Sequence, residues 1–409
     1  MRPRWLLLCG LTLLALVIAG VLLSWRAAIP AIAPPPRSTF SAQEIARGRA
    51  LAALGDCMAC HTAGGGRPLA GGRAIQTPFG SVFSTNITPD RKTGIGTWSL
   101  DALRRAMRQG IARDGTHLYP AFPYDHFAQT SGTDIAALYA YLMTREQVSA
   151  PAPHNRLLPP FDIRTLLAGW NFLYFHRNPF RSDRTKSTGW NRGAYLVETL
   201  GHCGACHTPH NAFGAEKMHR VLDGGMAEDW YAPPLNYRSP APEPWTAKEI
   251  ATYLRTGMDL HHGAAVGPMR RVTQSLGAAP PADVTAIAIY VASLMPRKPA
   301  MRGQMAAQAP QAAAIFMGAC AGCHESSRWP SLANSTTLAE DSPRDTLEIL
   351  LHGIPWRPDG FYMPPFAATL DDARIAELAN FLRARFAGHA PWSDALSQAR
   401  GIRKEASDH

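Results

Sequence analysis

Hydrophobic patterning divides the chain into one continuous apolar segment and a long stretch of periodic helices. Residues 5–23, WLLLCGLTLLALVIAGVLL, are apolar apart from Thr12, with Arg2 and Arg4 before them and Arg26 after. A run of this length can cross a bilayer as a helix, whereas the apolar core of a cleaved signal is usually about 7–15 residues. The pattern therefore predicts a transmembrane helix within residues 1–30, with Arg2 and Arg4 on the cytoplasmic side and the chain beyond the tether AIPAIAPPP on the other. Past the tether, one helical signal recurs three times. WSLDALRRAMRQG (98–110), WTAKEIATYLRTG (245–257) and DSPRDTLEILLHG (341–353) each begin polar or Pro-capped and end in glycine, a helix stop. A closing helix follows each, from Asp134, Asp283 and Arg374, carrying an aromatic residue at Tyr141, Tyr290 and Phe381. An opening helix precedes each, and Gly48 and Gly193 in the first two would let the closing helix cross closely; the third offers only alanine.

Between opening and middle helices stand three pentads: CMACH at 57–61, CGACH at 203–207 and CAGCH at 320–324. Two cysteines three positions apart share one face of a helical turn, where both thiols can join the vinyl groups of one haem. The adjoining histidine then reaches the iron as proximal ligand. Zinc would need four ligands per site, and a dithiol redox pair needs no histidine. The reading is three covalently bound haem c, on Cys57, Cys60 and His61, on Cys203, Cys206 and His207, and on Cys320, Cys323 and His324. Helical domains this small bury little apolar surface unaided, and a macrocycle supplies the missing core. The expected architecture is all-α and resembles the mono-haem cytochrome c fold three times in tandem, behind one N-terminal transmembrane helix. Domains fall at 40–150, 190–297 and 310–388, with an aromatic linker at 151–189 and a polar tail at 389–409.

Counting from each helix-ending glycine locates the opposite face of the iron. Gly257 to Met269 is twelve residues, Gly110 to Phe122 is also twelve, and Gly353 to Met363 is ten. A thioether suits the distal side of a c-type haem and raises its potential, so Met269 and Met363 are the expected distal ligands. Phe122 has no lone pair. The first iron is then reached by His126, by another side chain such as His117, or left open; Met107 falls mid-helix.

Charge adds little: 41 basic against 31 acidic residues give +10, but charged residues are only 18% of the chain, and no basic run reads as a nucleic-acid arm. No GxGxxG, HExxH or GxSxG pattern marks an organic-substrate site. The three pentads, FSTNITPD (83–90), LYPAFPYDHF (118–127), LGHCGACHTPHNAFGA (200–215) and MPPF (363–366) together make the chain similar to the membrane-anchored tri-haem cytochrome c subunits of periplasmic dehydrogenases. That resemblance implies an electron-transfer subunit of the inner membrane, its haem domains in the periplasm, passing electrons to ubiquinone or another respiratory carrier. It implies a catalytic partner: a molybdenum hydroxylase with an iron–sulfur subunit, a quinoprotein, or a flavoprotein. PAFPYDHF is closer to the molybdenum branch, whose partners oxidise aldehydes or N-heterocycles, than to the quinoprotein alcohol branch, where methionine would stand at 122. An open first iron keeps a peroxidase-like enzyme as an alternative. The aromatic segment at 164–180 is expected to brace domains, dock a partner or touch a membrane surface.

Overall fold

The computed structural model describes residues 24–175, 179–295, 309–326, 329–357 and 360–407, with Leu8, Leu11 and Gly20. By its contacts the chain forms two units, 1–182 with 198–202, and 183–197 with 203–409. Among the described residues no helix is long and apolar enough to cross a membrane, and the segment expected to do so, 5–23, lies almost wholly outside them. The expectation of all-α domains behind a transmembrane helix is corrected on a second ground, because short antiparallel pairs stand between the helices. They join Ala74–Thr77 to Gly80–Phe83 and then to Arg156–Leu157, Gly225–Ala227 to Trp230–Ala232, and Met258–Asp259 to Gly263–Ala264. Alternation around a two-residue Pro78-Phe79 loop is the local sign of the first, and helical periodicity elsewhere overshadows it.

In the first unit, helix Ala42–Leu54 starts with a reciprocal Ser41–Glu44 capping box and crosses helix Gly132–Met143 at Gly48. A Cβ at Gly48 would sit 2.0 Å from the Ala137 carbonyl oxygen and 2.6 Å from Tyr141 Cβ. Only a residue with no side chain fits there. One position earlier, Arg47 Nη2 lies 2.6 Å from Asp134 Oδ1 at the start of the partner helix. The third helix of the group, Leu100–Gln109, is capped by Ser99 and stopped by Gly110 in the left-handed conformation. The linker helix Leu167–Tyr174 braces this same unit: Tyr124, fully buried, donates its hydroxyl to Asn171 Oδ1 (2.7 Å) and packs edge-on against Phe175. Its other face carries Phe172, which is 86% exposed.

The second unit repeats the plan and then varies it. Helix Thr188–Glu198 crosses helix Pro281–Leu294 at Gly193, where a Cβ would stand 1.9 Å from the Ala286 carbonyl oxygen, and Arg192 pairs with Asp283 at 2.8 Å. Helix Ala247–Thr256 carries a Thr246–Glu249 capping box and ends on left-handed Gly257. In the third repeat the opening helix Pro310–Ile315 runs into a wider turn, Phe316–Cys320, and Phe316 meets Phe381 of helix Asp372–Leu382 at 6.0 Å. The segment read as a polar tail folds in part as helix Ala395–Ser407. Its Ala395, Ala399 and Ile402 enter the core with Trp392, an i, i+4, i+7 stripe diluted by polar neighbours.

This last repeat encloses the carboxyls of Glu340, Asp345 and Glu348. Burial drives all three upward, Glu340 well above its usual range and Asp345 and Glu348 to about 7. Asp345 Oδ1 accepts from Tyr231 N (2.8 Å), and Arg344 opposes the shift at Glu348 without cancelling it.

Packing and burial each lead to an expected outcome. Gly48→Ala and Gly193→Ala should each destabilise the folded protein by about 1–3 kcal/mol or more, the range of overpacking. Gly64→Ala, whose Cβ meets nothing within 4 Å, serves as the control in thermal unfolding. A carboxyl raised on folding binds its proton more tightly in the native state, so its stabilising contribution is full below the unfolded value near 4 and lost as pH rises through the folded one. Denaturant midpoints should therefore fall between pH 5 and pH 8, and fall less in Asp345→Asn and Glu348→Gln.

Candidate haem sites

Each pentad lies on a helical turn, as the thiol spacing requires: Cys57–His61, Gly204–His207 with Cys203 at its start, and Ala321–His324 following Cys320. None of these six cysteines is in a disulfide. Burial pushes the Cys57 and Cys203 thiols up to about 12 and raises Cys320, so they are protonated thiols at neutral pH. Burial also lowers His61, His207 and His324, which keeps the imidazoles neutral, as a metal ligand must be.

The decisive geometry is on the other ring nitrogen. His61 Nδ1 lies 2.6 Å from the Thr85 carbonyl oxygen and His207 Nδ1 lies 2.7 Å from that of Pro233. A carbonyl only accepts, so Nδ1 carries the proton and the lone pair stands on Nε2, the tautomer that binds iron from below. The same loop produces both bonds. Leu69 N and Leu222 N each donate to the threonine that follows the pentad, Thr62 Oγ1 and Thr208 Oγ1, at 3.1 Å. Gly71 N and Gly224 N then each donate to the histidine's own carbonyl, at 2.8 Å. Leu69 and Leu222 both hold positive φ, 62° and 60°, and the strand pairs beyond them return the chain to Thr85 and Pro233. Sequence reasoning missed this cradle, although CHT followed by L-x-G-G at 69–72 and 222–225 marks it. The third repeat has neither sign, and the buried Nδ1 of His324 has no partner among the described residues.

Beyond the glycine that ends the middle helix, the first two repeats share one register. Leu118 N donates to the Gly110 carbonyl and Ala265 N to that of Gly257, and Phe122 and Met269 each follow four residues later. Met269 is half-buried near the start of helix Gly267–Gly277, with Pro268 beside it. Phe122 is half-buried, its ring 5.1 Å from Phe127. Met363 differs: it exchanges both backbone hydrogen bonds with Ile354 (2.9 and 3.0 Å) and packs on the third core. That is the bridge place held by His117 opposite Ile111 in the first repeat, so Met363, ten residues after its glycine, does not stand where Met269 and Phe122 stand at twelve.

The two histidines near Phe122 part company. His117 is buried and its Nε2 donates to the Ser24 carbonyl (2.9 Å), tying the chain's incoming segment. His126, on the short helix Tyr124–Phe127, donates Nδ1 to the Glu198 carbonyl (2.9 Å), the same pinning seen at His61 and His207. Met107 is buried mid-helix.

Family models agree with this layout where they match: "Cytochrome c" covers residues 45–146 and "Cytochrome C oxidase, cbb3-type, subunit III" covers 307–382. The chain is similar to a nicotinate dehydrogenase subunit of Pseudomonas putida, 44% identical over the whole chain, but it spans only 36% of that protein. It is 36% identical to the fructose dehydrogenase cytochrome subunit of Gluconobacter japonicus, over 91% of this chain and 85% of the relative. It is 34% identical to the gluconate 2-dehydrogenase cytochrome c subunit of Pantoea cypripedii, over 88% and 90%.

Proposed function

The chain belongs to the cytochrome c subunits of dehydrogenase complexes, and from that membership we propose an electron-transfer subunit holding three haem c groups in the periplasm. It takes electrons from a catalytic dehydrogenase partner and delivers them to ubiquinone or another respiratory carrier. The observation that supports three rather than two is the third pentad, on its own helical turn and in its own core.

Bound haem supplies one-electron chemistry at iron; the chain's residues decide where it is held and how readily it is reduced. Cys57 and Cys60, Cys203 and Cys206, and Cys320 and Cys323 form the thioethers. His61 and His207 present Nε2 with Nδ1 pinned by a carbonyl, which strengthens the imidazole as a donor, and His324 serves the third. Met269 and Met363 give the second and third sites a thioether, which favours the reduced state. In the first repeat His126 takes that place: Phe122 has nothing to donate, and the Glu198 carbonyl holds His126 Nδ1 as carbonyls hold His61 and His207, leaving Nε2 as the donor.

For the partner, the reading favoured is a molybdenum-type enzyme with an iron–sulfur subunit, oxidising an aldehyde or N-heterocycle. The relative at 44% identity is named for nicotinate, an N-heterocyclic acid, and Phe122 departs from the thioether used at the second site. Relatives named for fructose and gluconate make a flavoprotein or quinoprotein the outcome to be distinguished by identifying the subunit that co-purifies.

Two measurements test the assignments. Pyridine haemochrome against protein mass should give three haems per chain, and replacing Cys57 with Cys60, Cys203 with Cys206, or Cys320 with Cys323 by alanine should each leave two; two haems in the unaltered chain would end the tri-haem reading. His126→Ala should open one iron to carbon monoxide and change one potential, which in the unaltered chain is the lowest of the three. An unchanged spectrum would remove His126 from the first site.

A further inference from the structure

We propose that Arg357, from the third repeat, completes the second haem site: it is a positioning residue that holds the loop leading to Met269 and fixes a positive charge beside that loop. This role rests on the assignment of Met269 as the site's thioether. All the residues involved belong to the second unit.

The loop begins where helix Ala247–Thr256 ends. The last carbonyls of a helix have no partner within it and carry the negative end of its dipole. Arg357 supplies what the helix lacks: Nη1 donates to the Gly257 carbonyl at 3.0 Å, and Nη2 donates to that of Thr256. The Gly257 carbonyl also accepts from Ala265 N at 2.9 Å, the bond that sets the register to Met269. A planar, permanently charged fork suits two adjacent carbonyls better than a lysine ammonium does.

Gly257 makes this grip possible. It holds φ 75°, and a Cβ there would meet Arg357 Nη1 at 2.7 Å and Thr273 Oγ1 at 3.0 Å. Thr273 stands one turn beyond Met269 on helix Gly267–Gly277, so the glycine lies against both the arginine and the helix that carries the thioether. The first repeat covers the same place from within. There a Cβ at Gly110 would meet the ring of Tyr124 at 2.7 Å, a neutral side chain of its own repeat. In the second repeat the cover is a guanidinium lent by the third.

Arg357 is itself fixed in place. It stands between Ile354 and Met363, its N donates to the Phe361 carbonyl (3.0 Å), and its own carbonyl accepts from Gly360 N (2.9 Å). The same two repeats also meet on the His207 side. Tyr231 N donates to Asp345 Oδ1 (2.8 Å) and Arg344 Nε to the Asp229 carbonyl (2.7 Å). Two residues past Tyr231 comes Pro233, whose carbonyl orients His207. The third repeat therefore touches the supports of both axial residues of the second site. A nearby cation disfavours the extra positive charge of oxidised iron, and a tethered loop keeps the thioether at hand; both favour the reduced state.

The test uses the mature, haem-loaded chain in a spectroelectrochemical titration. The potential missing from the protein carrying Cys203→Ala and Cys206→Ala is the second haem's. Arg357→Gln should move that haem's reduction equilibrium at least about threefold towards the oxidised form, about 28 mV at 59 mV per tenfold, and should let carbon monoxide bind it faster when reduced. Arg357→Lys, which returns the charge and one hydrogen bond, should recover most of the shift, and the first haem should move in neither variant. An unchanged second potential in Arg357→Gln, an equal shift at the first haem, or no recovery in Arg357→Lys would overturn the role of Arg357. Met269→Ala separates the two assignments. If it moves the second potential and Arg357→Gln does not, Arg357 alone is dismissed; if neither moves it, the thioether assignment falls as well.

Discussion

An imidazole nitrogen that meets a backbone carbonyl must bring the proton, because the carbonyl has only lone pairs to offer. That single constraint organises the first two repeats. It fixes the tautomer of His61 and His207, so it fixes which nitrogen keeps a lone pair for a metal, and it requires a loop able to deliver Thr85 or Pro233 to the right place. The leucines at positive φ, the paired glycines after them and the threonine that closes each pentad are all parts of that delivery. Short strand pairs exist here for the same reason: they turn the chain back towards the imidazole.

Around this bond the helices leave room by close approach. At Gly48 and Gly193 the opening and closing helices approach backbone to backbone, and each crossing is locked beside it by an arginine–aspartate pair. The third repeat reaches a core by other means. Phe316 against Phe381, a buried Ala312 and the added helix Ala395–Ser407 replace the glycine crossing. Its histidine lacks the carbonyl cradle, and its methionine sits on the strand-like bridge to Ile354. Three copies of one motif therefore sit in two kinds of setting; with haem bound in each, such settings would give different electron affinities.

Phe122 occupies the position that Met269 holds in the second repeat, in the same register from a helix-ending glycine. Phenylalanine there packs on Phe127 and has no lone pair to offer a metal. Of the two nearby histidines, His117 turns Nε2 to the Ser24 carbonyl, and His126 turns Nδ1 to the Glu198 carbonyl as His61 and His207 turn theirs to Thr85 and Pro233.

Local signals in the sequence determined the three pentads on helical turns, the glycine helix stops at 110, 257 and 353, and the two glycine crossings, because turn geometry, left-handed φ and the absence of Cβ are properties of a few adjacent residues. The helix at 395–407 and the strand pairs were locally marked too, by an i, i+4, i+7 stripe and a Pro-Phe loop, but weakly beside the dominant helical period. Tertiary structure alone decided the partners of the histidines, which lie 24 and 26 residues away for His61 and His207 and 72 and 93 for His126 and His117. It also decided which carboxyls are buried. A backbone carbonyl has no residue identity, and burial is a property of what folds over a group, so neither is written in the stretch of chain that depends on it.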